Sequence, residues 1–172
     1  MPDGTPSITL PAEAATDFAT GSVFFVGTAT TIIRYAGFCL LTDPNFLHRG
    51  QYVPLGYGLR SRRTTEPALS ISQLPAVDVV VLSHLHGDHF DQVAIRDLDK
   101  RVPIVTTNHA ARALRRKGFM QTRALHTWDT QTVRKGEAFL RISALPAKHA
   151  PEPLRALLPP VMGSMLEFGR AE

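Results

Sequence analysis

The stretch SHLHGDHFD, residues Ser83–Asp91, directly follows the apolar run Val77–Leu82. It reads H-x-H-x-D-H-x-D, so five of its nine residues are titratable where a buried strand is expected to end. If they were left unpaired, this many ionisable groups beside a core would carry a heavy desolvation cost. Neutral imidazoles and carboxylates are the side chains that ligate divalent metals, and the stretch therefore predicts a metal site.

The spacing within this stretch predicts how the ligands are shared. His84 and His86 are two apart and point to one side of an extended segment. Gly87 is expected to allow a sharp turn without steric cost, after which Asp88 and His89 face the same cavity from another side. Two neighbouring ions are thus possible, and paired ions favour hydrolysis by an activated water. We expect Zn²⁺ first, with Mn²⁺ or iron as alternatives.

The composition is that of a soluble globular domain. The chain has 172 residues, of which 44% are hydrophobic and 20% are charged, enough for one domain with a core. The formal charge of +4 is small and spread along the chain, so a nucleic-acid partner ranks below a small molecule.

The expected location is the cytoplasm. The single cysteine, Cys39, lies in an apolar stretch and is interpreted as a small buried residue in a reducing compartment. Met1–Leu10 lacks a basic segment followed by an apolar one, so no signal peptide is predicted. Apolar runs are far shorter than the roughly 20 residues that span a bilayer, so no membrane span is expected.

Residues 1–20 are interpreted as a loose N-terminal arm, and residues 21–172 as one domain. Alternating strands and helices in the domain predict a layered α/β architecture. The predicted strands are Val23–Val26, Thr30–Tyr35, Phe38–Thr42, Ala76–Leu82, Val102–Thr106, Thr122–Trp128, Gln131–Arg134, Glu137–Leu145 and Val161–Phe168. Asp91 is expected to cap a short helix, and Asn108–Lys117 is expected to form a second one.

The long connection Asn45–Pro67 is the main candidate for substrate contacts, because long loops in compact domains are often functional. His48 and Arg60 could hold a phosphate or carboxylate, and Lys148 is a third candidate for substrate binding. A solvated loop with scattered charges is an equally good interpretation. His149 follows a predicted strand, in a loop opened by Pro146, where a ligand is common; the residues alone leave its role open.

Three motifs resemble those of the metallo-β-lactamase-fold hydrolase superfamily: Leu41–Pro44, Ser83–Asp91 and Pro146–His149. More narrowly, they resemble the branch that contains ascorbate-6-phosphate lactonase and the phospholipase D that cleaves N-acyl phosphatidylethanolamine. The resemblance implies a four-layer αβ/βα sandwich with metals at one edge, between the two sheets.

The resemblance also implies roles for individual residues. His84, His86 and His149 would hold one metal, and Asp88 and His89 a second. Asp88 would also take a proton from the attacking water. Asp43 would support the metal loop by hydrogen bonding.

The chain departs from the superfamily pattern after Phe168, where only Gly169–Glu172 remain. The resemblance implies two later metal motifs, an Asp and a His, which this sequence lacks. We therefore expect an incomplete second half, an exposed sheet edge that favours association, and little activity of this chain alone.

Three functions remain open on the sequence. The first is a metal-dependent hydrolase acting on a phosphodiester, a lactone or a related ester. The second is a nuclease of the same fold, which would bind RNA with a steep salt dependence. The third is a catalytically incomplete metal-binding fragment, which a partner chain or a missing C-terminal portion would complete.

Overall fold

The computed structural model describes residues 7–11, 16–56, 58–148 and 159–170, with backbone only at residues 55 and 56. The strands are β1 (Ile8–Leu10), β2 (Gly21–Gly27), β3 (Thr30–Tyr35), β4 (Phe38–Thr42), β5 (Tyr52–Gly56), β6 (Leu59–Arg62), β7 (Val79–Val81), β8 (Ile104–Thr107), β9 (Thr122–Leu125), β10 (Thr130–Lys135), β11 (Ala138–Pro146) and β12 (Met162–Arg170). The helices are α1 (Gln92–Asp97) and α2 (Asn108–Arg116), and a 3₁₀ turn covers Ile71–Gln73.

The described strands form two larger sheets and one hairpin. A six-stranded sheet has the order β2-β3-β4-β7-β8-β9, and a four-stranded sheet has the order β1-β10-β11-β12. In the six-stranded sheet, β4, β7, β8 and β9 run parallel, and helices connect β7 to β8 and β8 to β9. This alternation confirms the predicted α/β class.

Two apolar layers hold these elements together, one on each face of the six-stranded sheet. Alternate residues of a strand point to opposite faces, so Leu40 and Val81 pack toward the four-stranded sheet while Leu41 and Val80 pack toward the helices. All four are at most 5% exposed, as expected for strands covered on both sides. The described residues thus form a helix–sheet–sheet stack, consistent with an incomplete αβ/βα sandwich.

The prediction of a loose arm over residues 1–20 is wrong for β1. Ile8–Leu10 pairs in parallel with Val133–Lys135 at the edge of the four-stranded sheet, and Ile8 is buried. A strand of three residues carries almost no local signal, because its only support is a partner more than a hundred positions away. Residues 1–6 and 12–15 lie outside the described part of the chain.

The connection Asn45–Pro67 was predicted as one long loop, but it contains the hairpin β5–β6. Every described side chain of β6 is exposed, so no alternation of apolar and polar residues marks the strand. The predicted strand Ala76–Leu82 is also shorter in the structure, where β7 covers only Val79–Val81; all three residues pair with β4, and Val80 and Val81 also pair with β8.

One edge of the six-stranded sheet is apolar and exposed. Among the described strands β2 pairs only with β3, and its Val23 and Phe25 side chains are 73% and 64% exposed. The open edge expected from an incomplete second half stays a prediction. Among the described residues, neither helix has the length or the apolar content that a membrane span requires.

Candidate metal centre

The metal loop, Ser83–Asp91, starts where β7 ends. Its first turn is closed by two hydrogen bonds to the carbonyl of His86, from the amides of His89 at 3.0 Å and Phe90 at 2.7 Å. This single helical turn folds the chain back, so the second half of the loop lies over His84. This local turn therefore brings His89 next to His84.

Gly87 is needed in this loop for a reason other than the one expected from the sequence. Its φ is not positive, so the turn could be made by other residues. A Cβ at this position would instead lie 2.6 Å from the carbonyl oxygen of Pro54 in β5. The glycine is thus explained by the close approach of the β5–β6 hairpin to the loop.

Three of the predicted ligands converge. His84, Asp88 and His89 each offer a ligand atom, and these atoms all lie within 4.8 Å of one another. The rings of His84 and His89 are 4.1 Å apart between centroids, and the ring of His86 lies 4.9 Å from that of His84. Two ligands bound at about 2.1 Å to one ion are at most about 4.2 Å apart, so a small inward shift would suffice. The group joins residues that the resemblance divides between two metals.

Asp43 and Ser83 orient two of these imidazoles. One carboxylate oxygen of Asp43 accepts hydrogen bonds from the Ser83 amide and hydroxyl, at 2.8 and 2.9 Å, and the other lies 3.2 Å from Nδ1 of His89. The Ser83 hydroxyl oxygen also lies 3.0 Å from Nδ1 of His84. An acceptor at Nδ1 holds the ring proton there, so Nε2 of each ring carries the lone pair that a metal requires.

The same carboxylate changes the titration of His89. Burial lowers the pKa of the His89 imidazole, but the hydrogen bond and charge of Asp43, together with the charge of Asp88, raise it by more. The net pKa lies above the ordinary value of 6.5. The cluster therefore attracts positive charge, as a cation site requires.

Asp88 supplies the observation that tests the fit of a metal. Its Oδ1 is buried and has no hydrogen-bond partner among the described residues, while Oδ2 lies 3.7 Å from Nε2 of His89. A buried carboxylate oxygen without a donor is costly, and a cation would remove that cost. The imidazole and carboxylate donors suit Zn²⁺, Mn²⁺ or iron alike.

Asp91, the last residue of the motif, joins the metal loop to α1 and to the long connection by hydrogen bonds to backbone amides. It caps α1 as predicted, with its side chain accepting from the Ala94 amide at 2.8 Å. It also accepts from the amides of Phe46 and Leu47, at 2.5 and 2.7 Å. Burial raises the pKa of the Asp91 carboxyl, and the backbone donors partly offset this rise. Asp91 is therefore committed to backbone donors.

His149, the predicted third ligand of the first metal, lies outside the described residues. The strands on either side nevertheless approach the metal loop: Pro146 pairs with Met162, whose amide donates to the Ser83 carbonyl at 3.0 Å. The role of His149 therefore stays a prediction.

The three predicted substrate-binding side chains are exposed. His48 is exposed and its Nδ1 lies 2.8 Å from Oε2 of Glu66. Arg60 is exposed on β6, with its guanidinium 4.7 Å from the Tyr52 ring centroid. Lys148 is exposed. None of the three belongs to the described metal-capable group, and their roles stay predictions.

Sequence reasoning assigned no role to Ser83 or Asn45. Asn45 is fully buried, and its amide nitrogen donates to the Gly87 carbonyl at 2.9 Å. Ser83 could have been identified as the first residue after a strand, beside the ligands. Nothing in the sequence singles out Asn45, because its partner is 42 positions away.

Comparison with known proteins gives the family. A family model described as a beta-lactamase superfamily domain matches residues 40–170. The chain is 33% identical over 104 residues to UPF0173 protein YddR of Bacillus subtilis, a match covering 57% of this chain and 41% of that protein. It is 28% identical over 127 residues to the mitochondrial N-acyl-phosphatidylethanolamine-hydrolyzing phospholipase D of Saccharomyces cerevisiae, covering 73% of this chain and 26% of that protein.

A solved structure shares the fold. The crystal structure of a possible metal-dependent hydrolase from Veillonella parvula aligns with a TM-score of 0.69 at 24% identity, covering 86% of this chain and 58% of that one. The chain thus spans well under two thirds of the length of each of these proteins. With the family model covering most of its residues, this chain belongs to the metallo-β-lactamase-fold hydrolase superfamily.

Proposed function

We propose that this chain contributes the metal-binding part of a hydrolase that acts on a phosphodiester, a lactone or a related ester. The observation that supports this most strongly is the Asp43–Ser83 network, which holds the rings of His84 and His89 beside Asp88, whose buried Oδ1 has no donor among the described residues. The yeast relative is named as a phospholipase D, which favours a phosphodiester within this range.

In this proposal, His84, His86 and His149 hold one ion, and Asp88 and His89 hold a second. Zn²⁺ is the proposed metal, with Mn²⁺ or iron as alternatives. A divalent ion would polarise the ester or phosphoester oxygen and make water acidic enough to attack near neutral pH. Asp88 is half exposed beside the cluster, so its carboxylate can accept the proton that the attacking water loses.

Asp43 acts through His89 in this mechanism. Its carboxylate keeps the His89 proton on Nδ1 and stabilises positive charge on the ring. The hydroxyl oxygen of Ser83 likewise keeps the His84 proton on Nδ1. The chain's own residues thus favour the Nδ1–H tautomer of His84 and His89 before an ion arrives.

The number of ions is part of the proposal. The His84–Asp88–His89 group supports one ion most directly, so we propose one tightly held ion per chain and a second held weakly. We also propose that residues 21–172 form one domain, to which β1 adds an edge strand. A cytoplasmic location and association through the open sheet edges complete the proposal.

The test measures metal content and turnover on the same preparation. The expected result is about one Zn²⁺ per chain, and slow, chelator-sensitive hydrolysis of bis(p-nitrophenyl) phosphate or of a simple lactone. His86→Ala should abolish turnover, whereas His109→Ala, an exposed histidine on α2, should not. Bound metal without turnover would support the incomplete-fragment alternative, and absence of metal would refute the proposal.

The nuclease alternative has weaker support. The last turn of α2 carries Arg115 and Arg116, but Arg115 is already bonded to the Thr122 side chain at 2.8 Å. RNA binding that falls steeply with salt concentration would favour this alternative, and a flat response would exclude it.

A further inference from the structure

Arg63 is a buried cation for which the metal chemistry has no direct use. It follows β6 directly and is only 6% exposed, although Arg60 and Arg62 in the same hairpin strand are exposed. Among the described residues, no carboxylate lies within 4.0 Å of its guanidinium. Burial lowers the pKa of Arg63, partly offset by the charges of Asp91 and Glu66. A buried charge kept without a counter-ion calls for an explanation.

The guanidinium makes its hydrogen bonds to neutral acceptors from three segments. Nη1 donates to the hydroxyl of Thr28 at 2.5 Å and to the side-chain oxygen of Asn45. Nε donates to the Thr65 carbonyl at 3.1 Å. The backbone makes room on the remaining side, because a Cβ at Gly27 would lie 2.7 Å from Nη2. Arg63 is therefore enclosed where the β2–β3 turn meets the long loop.

The contact with Asn45 connects Arg63 to the metal loop. An arginine side chain has only donors, so Asn45 must present its oxygen to Arg63 and its NH₂ group to the other side. On that side the NH₂ group donates to the Gly87 carbonyl at 2.9 Å. The Asn45 backbone is itself held, since its amide donates to the Thr30 hydroxyl at 2.8 Å.

The Gly87 carbonyl lies between two ligands, His86 and Asp88. The peptide group is planar, so fixing that oxygen fixes the plane from which the Asp88 backbone starts. We propose that Arg63 is a positioning residue for the metal loop. By fixing the orientation of the Asn45 amide, it holds the Gly87–Asp88 peptide group in a metal-binding arrangement. This inference rests on the proposed metal site and adds a residue remote from it.

The decisive variant is Asn45→Asp, which separates the two hydrogen bonds. A carboxylate still accepts from Arg63, and the new ion pair compensates its charge, but it cannot donate to the Gly87 carbonyl. We expect the metal-free variant to unfold within a few degrees of the unchanged chain, while its affinity for Zn²⁺ falls about 10-fold or more. Zn²⁺ affinity is measured by competition with a chelating dye, without any substrate. Unchanged or tighter binding would overturn the proposal.

Substitutions at position 63 test the donor argument itself. Arg63→Lys keeps a group that can only donate, so it should retain more Zn²⁺ affinity than Arg63→Gln, whose amide can present either end to Asn45. Arg62→Met, in the exposed neighbour, is the matched control and should bind Zn²⁺ normally. Equal affinity of the Lys and Gln variants would count against the proposal. Failure of the unchanged chain to bind Zn²⁺ would instead refute the metal site.

Discussion

Two histidine–aspartate clusters lie at the same end of the six-stranded sheet, and only one has the properties of a metal site. The first is the His84–Asp88–His89 cluster after β7. The second is His126 with Asp129, after the parallel strand β9. In the second, His126 Nδ1 lies 3.1 Å from the Asp129 carboxylate and Nε2 lies 2.6 Å from the amide nitrogen of Asn108.

The difference lies in burial and in what the carboxylate still lacks. His126 is 77% exposed and both of its ring nitrogens are bonded within the cluster, so solvent and neighbours already satisfy it. In the metal loop the His84 side chain is buried, and Oδ1 of Asp88 has no donor in the described part of the chain. The number and spacing of His and Asp residues already predicted a metal site in the metal loop and not around His126. The structure adds a physical reason, because one buried oxygen of Asp88 has no donor among the described residues.

The largest expected effect comes from removing a ligand. His84→Ala should lower Zn²⁺ affinity by more than about 100-fold, beyond the loss typical of an outer hydrogen-bonding partner. His126→Ala, the matched change in the exposed cluster, should leave Zn²⁺ affinity unchanged. Both are measured by dye competition on the metal-free chain. Equal losses in the two variants would remove the distinction between the clusters.

A second pair of variants compares Asp43 and Asp129, two aspartates that each contact a histidine Nδ1. In Asp43→Asn the oxygen would still accept from Ser83, leaving the NH₂ group to face His89. That would move the His89 proton to Nε2, which then could not ligate, so Zn²⁺ affinity should fall about 10- to 100-fold. Asp129→Asn should have no such effect. An Asp43→Asn variant with unchanged affinity would show that Asp43 does not orient His89.

Rising pH should weaken the stabilisation that His89 gives the metal-free chain, but it should strengthen Zn²⁺ binding. The pKa of His89 is raised above 6.5 in the folded chain, so its contribution to stability is present below that pH and is lost as pH rises through the folded pKa. Without metal, the stability advantage over His89→Ala should therefore shrink between about pH 6 and pH 8. Zn²⁺ affinity should rise over the same interval, because protons compete for the ring. Calorimetry with and without Zn²⁺ gives both readings.

The smallest expected effect is on the stability of the exposed cluster. The His126 and Asp129 side chains are 77% and 50% exposed, so solvent screens their interaction. Replacing His126 by alanine should change the free energy of unfolding by less than about 1 kcal/mol, measured with urea. A larger loss would mean that the Asn108–His126 contact supports the fold.

The sequence predicted those parts of the fold whose signals are local. Thr30–Tyr35 and Phe38–Thr42 were predicted with the bounds observed, because β-branched and apolar runs flank a two-residue turn. At Ala36 and Gly37 both φ values are positive, as such a turn requires. β1 and the β5–β6 hairpin were missed, because their pairing partners or their packing, rather than their own residues, define them.

The candidate site divides in the same way. The cluster within Ser83–Asp91 follows from spacing along a few residues, and the resemblance pointed to Asp43. The place of Asn45 could not be predicted, since its contact with Gly87 exists only after the long loop closes. Arg63 looked equivalent to Arg60 in the sequence, and only packing shows that Arg63 is the buried one.

The pairing of Pro146 with Met162 has a consequence for how the connection between β11 and β12 can change. These two residues pair with each other beside the Ser83 carbonyl, so the ends of the intervening segment are fixed next to the reactive edge of the sheet. Lengthening a connection whose ends are already fixed costs little entropy, roughly 0.6 kcal/mol for each doubling. Changes in the length of that connection are therefore expected to cost the fold little, while the paired ends of β11 and β12 keep their register.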